Sequence, residues 1–240
     1  MLQVNEYKRE RVDRPLILGP YDIDRLLMKR RDNEPISFEN CVINEVNFDG
    51  INFDGCDFRN CKLYESSFEN CSFKNCNFEG ASLIGLAHFN NCDFKFANFR
   101  EAYLSNLVTH STDFSNASFL LTNIRSCSFR DNTKFHGTDF LGTNINEAYF
   151  FNVDVLEPKN VQHINITMGG ATNKEVERHA HNIIAALTGK SVPREKCQMQ
   201  HVKTNLKYCQ MQMEIVKAMD SVKNLQPDVV EEMMISRNLE

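Results

Sequence analysis

A large apolar side chain recurs at every fifth position from Phe38 to Val155. The series runs Phe38, Ile43, Phe48, Phe53, Phe58, Leu63, Phe68, Phe73, Phe78 and Leu83. After one extra residue it resumes at Phe89, Phe94, Phe99, Leu104, Thr109, Phe114, Phe119, Ile124 and Phe129. After a second it continues through Phe135, Phe140, Ile145, Phe150 and Val155. Only Thr109 breaks the apolar rule. Two residues before these centres lies a smaller series that includes Cys41, Cys56, Cys61, Cys71, Cys76, Ala81, Ala97, Ala102, Ala117, Thr122, Thr138 and Ala148. A period of five is foreign to a helix, which repeats every 3.6 residues, and to a strand, which repeats every 2.0. It suits a solenoid in which short extended segments alternate with tight turns, one large and one small side chain per pentad pointing inward. Asn, Asp, Ser and Gly crowd the remaining positions, as in Asn75-Cys76-Asn77-Phe78-Glu79-Gly80-Ala81, and these residues favour turns.

Pentads such as Ala97-Asn98-Phe99-Arg100-Glu101 and Cys71-Ser72-Phe73-Lys74-Asn75 resemble the pentapeptide-repeat family. That pattern is a small residue, then Asn, Asp or Ser, then Leu or Phe, then two variable positions. The resemblance covers Ile36 to about Val155, with 24 centres. It implies a mainly β chain: a right-handed quadrilateral parallel β-helix with four pentads to a coil. At an inter-strand spacing of ~4.8 Å, about six coils make a rod on the order of 30 Å long. The extra residues at 84–88 and 130–134 are expected to be corner bulges.

The chain has nine cysteines, and seven of them (Cys41, Cys56, Cys61, Cys71, Cys76, Cys92, Cys127) fall on the small inward position. There they act as small polarizable hydrophobes. The Cys56/Cys61 and Cys71/Cys76 spacing of five is not the two to four of zinc knuckles. No metal or other cofactor is therefore expected. Many unpaired thiols suit a reducing, cytoplasmic compartment. Met1 to Arg14 hold no apolar run of the signal-peptide kind, and no apolar run reaches the ~18 residues of a membrane span.

Residues 1–35 are expected to be an N-terminal segment whose helix, Gly19 to Arg31, caps the first coil with Leu26, Leu27 and Met28 inward. Lys29, Arg30 and Arg31 lie in its last turn, where cations suit the helix dipole. A second reading makes this basic cluster an anion site. Residues 36–155 form the solenoid, 156–171 a linker, and 172–240 a small helical bundle. Thr172-Asn173-Lys174-Glu175 has capping-box spacing, and Val176, Ala180, Ile183, Ile184 and Leu187 recur at helical intervals up to Gly189. A longer helix from about Arg194 to Lys223 carries Met199, Val202, Leu206, Cys209, Met213 and Val216 as a heptad seam, suited to a homodimer or to docking. A last helix can hold Val229, Val230, Met233 and Met234.

Candidate chemistry is sparse. Cys197 and His201 lie four apart on one helical face, without a second pair or an orienting carboxylate. His179 and His181, two apart, face different sides of a helix and are expected in solvent. No phosphate loop, nucleophile elbow or HExxH motif occurs, so no enzyme is expected.

Function then falls to the surface. Written in rows of four pentads, the second face carries Val42 and Asn44, Lys62 and Tyr64, Ser82 and Ile84, Tyr103 and Ser105, Asn123 and Arg125, Asn144 and Asn146, none of them acidic. Val42, Tyr64, Ile84 and Tyr103 are expected to stack as an apolar ladder, with Leu120, Leu121 and Leu141 near the adjoining corner. Either a protein partner or the chain's own C-terminal helices would cover it. Two other functions follow from resemblance. One is to quinolone-resistance proteins, which mimic DNA and bind type II topoisomerases, and here residues 36–155 hold 15 Asp and Glu against 8 Lys and Arg. Duplex DNA, however, carries a charge every ~1.7 Å, and these charges are mixed in sign along the chain. The other is to secreted bacterial effectors that act in a host cell's cytosol, some joined to HECT-like ubiquitin ligases. Direct nucleic-acid binding does not suit a net charge of −5 with no basic stripe.

Overall fold

The computed structural model describes residues 2–3, 15–85, 87–169 and 172–188. Each pentad bends at one place. The residue two after every centre, from Asn40 after Phe38 to Glu157 after Val155, has positive φ. That left-handed geometry is tolerated best by Gly and Asn, which explains why they crowd the positions between the apolar ones. The bend recurs every five residues, so four pentads close a coil.

The four faces are of two kinds. The second face is built of three-residue strands, β4 (Val42–Asn44), β6 (Lys62–Tyr64), β8 (Ser82–Ile84), β10 (Tyr103–Ser105), β12 (Asn123–Arg125) and β14 (Asn144–Asn146). The third is built likewise of β5 (Asn47–Asp49), β7 (Ser67–Glu69), β9 (His88–Asn90), β11 (Val108–His110), β13 (Ser128–Arg130) and β15 (Tyr149–Phe151). All neighbouring strands pair in parallel. On the first and fourth faces each pentad makes a single bridge, such as Asn77↔Asn98 and Asp93↔Asp113. There the centre's carbonyl accepts the N–H three residues on, as in Cys76 to Phe73 and Ala97 to Phe94, with the left-handed residue third in the turn.

The register runs unbroken through both extra residues. Beyond the first, Ser67 pairs with His88 and Ser82 with Tyr103, so the strands stay in register with one residue added. At the second, Asp131 and Asn132 both take positive φ and turn one corner between them. Both sites are corner bulges.

Inside, the centres stack by face. Phe38, Phe58, Phe78, Phe99, Phe119 and Phe140 form one column with centroids 4.7–5.6 Å apart. Phe53, Phe73, Phe94, Phe114 and Phe135 form another at 4.6–5.4 Å. The second face is lined instead by Ile43, Leu63, Leu83, Leu104, Ile124 and Ile145. Each buried Phe contributes about 1.5–3 kcal/mol by leaving water. All seven repeat cysteines are buried and free. Their thiols have a polar task as well: Cys76 Sγ donates to the Phe53 carbonyl at 3.0 Å, and Cys92 and Cys127 donate likewise to Phe68 and Leu104. Thr112, Thr122, Thr138 and Thr143 do the same with hydroxyls at 2.6–2.9 Å. Burial pushes the Cys56 thiol up to about 11 and the Cys127 thiol up to about 12.

Both ends of the coil differ from expectation. At the start, β1 (Leu2–Gln3) pairs with β3 (Ile36–Ser37) and β2 (Ile17–Leu18) pairs with β4, so strands extend the first two faces before the repeats begin. Helix α1 (Pro20–Lys29) follows β2, its first turn held by Asp22, whose carboxylate accepts the Gly19 N–H. It buries Ile23 and Leu26 with Leu27 partly covered, while Met28 is 85% exposed. The expectation for Met28 is corrected: Ile23, Leu26 and Leu27 share one face at i, i+3 and i+4, and Met28 points about 100° away from Leu27. Arg30 donates to the Asn52 carbonyl on the fourth face of the first coil, so it serves the cap. At the far end, residues 156–169 of the stretch expected as a linker carry structure of their own. A 3-10 turn (Val161–His163) leads into β16 (Asn165–Thr167), which adds a rung to β14, and Val161, Ile164 and Ile166 join the core. Helix α2 (Asn173–Thr188) rests on β15, β16 and the 3-10 turn. It buries Ile183, Ile184 and Leu187, as its periodicity predicts. The Glu175 carboxylate accepts from the N–H and hydroxyl of Thr172, and these bonds hold its pKa below the usual value. The seam Met199, Val202, Leu206, Cys209, Met213 and Val216, the Cys197/His201 pair and the last helix lie outside the described residues.

Candidate interaction surface

The second face is one sheet of eight parallel strands, from β2 through β4, β6, β8, β10, β12 and β14 to β16. Its outward side chains occupy the positions just before and just after each centre, so they fall in two columns. Val42, Lys62, Ser82, Tyr103, Asn123 and Asn144 make one, and Asn44, Tyr64, Ile84, Ser105, Arg125 and Asn146 the other. The single apolar ladder is thereby corrected. Tyr64 and Ile84 are rung neighbours, but Val42 pairs with Lys62 and Tyr103 with Ser82, so the four side chains stagger between columns. All four are half-buried.

Leu120 and Leu141 follow the first-face centres Phe119 and Phe140, and Ser118↔Asp139 bridging makes them consecutive rungs. Leu121 turns the corner toward the second face, and its N–H donates to the Leu141 carbonyl at 2.9 Å. Leu121 is 40% and Leu141 39% exposed, a small apolar shoulder beside Asn123 and Asn144. Leu121 takes positive φ as the third residue of a hydrogen-bonded turn, and so does Phe96, which is 58% exposed. The equivalents of Phe96 in neighbouring coils are Gly55, Asn75, Asn116 and Gly137. A bulky residue there costs about 1–2 kcal/mol. The pentad pattern carried this signal, since Phe96 stands two after a centre where Asn or Gly is the rule.

Charge is arranged differently on the other faces. On the first, Arg59 lies 2.7 Å from Asp57 and 3.2 Å from Glu39, and Arg100 lies 3.7 Å from Glu79 and 3.0 Å from Glu101. On the fourth, Lys95 sits 3.3 Å from Asp93 and 3.1 Å from Asp113, and Lys74 3.3 Å from Asp93. Burial alone would raise the Asp113 carboxyl, but hydrogen bonds from Ser115 and Lys95 bring it below the ordinary value. Carboxylates compensated at this range do not present the dense negative line of a duplex. The second face has Lys62 and Arg125 exposed and no carboxylate at its outward repeat positions.

Among the described residues no group of His, Cys, Asp and Glu is placed to hold a metal ion, and no helix is long and apolar enough to cross a membrane. His179, expected in solvent, is instead 8% exposed, because α2 turns it onto Tyr149 with ring centroids 5.5 Å apart. His181 is half-buried.

A family model described as Pentapeptide repeats matches in eight copies, over residues 36–60, 51–85, 61–106 and 87–131. No curated protein is significantly similar to the chain. Among solved structures, a trypsin-treated variant of QnrB1, a plasmid-mediated fluoroquinolone resistance protein, is 18% identical over 67% of this chain and 90% of its own, with a TM-score of 0.33. A pentapeptide repeat protein of the Arabidopsis thaliana thylakoid lumen is 20% identical over 43% of this chain and 68% of its own, with a TM-score of 0.26. HetL, involved in heterocyst differentiation regulation in Nostoc sp. strain PCC 7120, is 11% identical over 65% of this chain and 99% of its own, with a TM-score of 0.23.

Proposed function

Because the chain belongs to the pentapeptide-repeat family, its repeats matched over residues 36–131, we propose that it is a non-enzymatic interaction module that binds a protein partner through the second face and the adjoining shoulder. Val42, Tyr64, Ile84 and Tyr103, with Leu120, Leu121 and Leu141, are the contact residues of this reading. The observation that carries it is the contrast between faces. The first and fourth faces each pair charges within the face, whereas the second offers an unbroken sheet with apolar side chains, amides and two cations. Such a surface fits a partner with an apolar patch rimmed by carboxylates that meet Lys62 and Arg125. Helix α2 packs at the C-terminal end of the coil and leaves this assignment open to a partner over β4 to β12. Seven buried free thiols suit a reducing compartment such as the cytoplasm.

The test is a pull-down with mass spectrometry using the wild type, Tyr64→Asp and Tyr103→Asp, with circular dichroism to show that the coils persist. A central tyrosine contact is worth at least about 2 kcal/mol, so each variant should bind roughly 30-fold more weakly. Recovery of every wild-type partner by both variants would refute the assignment. Gyrase supercoiling measured with the purified protein checks the DNA-mimic alternative, and the reading predicts no inhibition at micromolar concentration.

A further inference from the structure

A solenoid end exposes backbone and core that a capping element must cover. Here that element is α2, which packs on β15, β16 and the 3-10 turn and buries Ile183, Ile184 and Leu187 in the same core as Val161, Ile164 and Ile166. One residue in this contact does not suit a permanent seal. His179 is nine-tenths buried between α2 and β15, its ring edge-on to Tyr149, and its Nε2 has no hydrogen-bond partner. A phenylalanine would fill such a site without a polar atom to satisfy. We propose that His179 makes the C-terminal cap acid-labile: protonation of the imidazole undocks α2 from the last coil and uncovers the β16 edge and the Val161, Ile164 and Ile166 surface.

The groups around the imidazole set the direction. Glu147, at the corner between β14 and β15, favours the charged form but is engaged by the Gly169 N–H at 3.1 Å. On α2, the Glu175 carboxylate is turned to Thr172, and Arg178 adds a positive charge beside the ring. From β15 comes Tyr149. β16 contributes the uncharged Asn165 and Thr167, and the 3-10 turn carries His163, which is exposed. Asn182 and Met168 complete the shallow pocket. Burial prevails over Glu147 and holds His179 below the ordinary histidine value of 6.5. The undocked helix therefore binds a proton at a pH where the docked one does not. Docking is at full strength above the undocked value and weakens as pH falls through it, until the docked imidazole itself titrates.

Hydrogen exchange of the full chain tests this, with α2 protection factors taken at pH 7.5 and 5.5 after correction for intrinsic rates. Protection of α2 should fall roughly twofold or more at pH 5.5 while the Phe73 to Phe114 coils stay unchanged, and His179→Phe should abolish the difference. His181→Gln should keep it. An equal acid loss in His179→Phe, or none in the wild type, would overturn the proposal. Should His179→Phe misfold, an NMR titration of wild-type His179 decides alone: a midpoint below that of a denatured-chain histidine supports the proposal, and one at or above it refutes it.

Discussion

Replacing Phe94 by alanine should do more damage than the same change at an end of the coil, because Phe94 lies in the middle of its ring column with rings on every side. It stacks on Phe73 at 4.6 Å and Phe114 at 5.1 Å, and meets Phe78, Phe89 and Phe99 at 5.1–5.8 Å. Truncation removes the transfer free energy of the ring and leaves a cavity between two coils that the backbone ladder holds apart, together about 3–5 kcal/mol. Phe150, in the last coil, stacks only on Phe129 at 4.8 Å, touches Phe135 at 5.7 Å and is partly exposed. Its truncation should cost about 2 kcal/mol less. At roughly 2–4 °C per kcal/mol, Phe94→Ala should lower Tm by about 6–20 °C. In a linear stack a central defect also uncouples the coils on either side, so guanidinium unfolding should broaden or split for Phe94→Ala and stay a single transition for Phe150→Ala. Equal losses for the two variants would refute the view that the columns are continuous through the rod.

Other expectations concern corners and thiols. Gly80 and Gly50 share a positive φ, but a Cβ at Gly80 would run into Asn60 Oδ1 while one at Gly50 meets nothing. Gly80→Ala should therefore cost about 1 kcal/mol more than Gly50→Ala in urea unfolding, and equal costs would contradict the packing of that corner. Phe96→Asn should stabilise by about 1 kcal/mol, since Asn tolerates the left-handed turn; a loss of stability would mean that the exposed ring packs internally. In a variant carrying Cys197→Ser and Cys209→Ser, no thiol should react with Ellman's reagent until the coils unfold, because the other seven are all buried in the coil, out of the reagent's reach. A fast native reaction would show that the core opens.

What could be read beforehand was what repetition encodes. Twenty-four centres vote on one register, so the second-face rows agree with the strand pairs residue for residue, across both extra residues. The cysteines followed from the same register. Single features were less legible. β1, β2 and β16 are two- or three-residue strands whose partners lie more than 20 residues away, and no local period can announce them. Leu26, Leu27 and Met28 look alike in a row, and only the helix phase set by Ile23 sends Met28 outward. His179 gives no sign of burial until α2 is seen to lie against Tyr149. In the surface itself the face was legible and its pattern was not, because treating each pentad as one rung merged two columns into a single ladder.

The assignment of the second face is tested most directly by site-specific photo-crosslinking in cells. A benzophenone side chain placed at Tyr103 should capture a discrete protein adduct that disappears when Tyr64→Asp is added, whereas the same group at Lys95, on the ion-paired fourth face, should capture none. An adduct formed from Lys95 and not from Tyr103 would contradict the account.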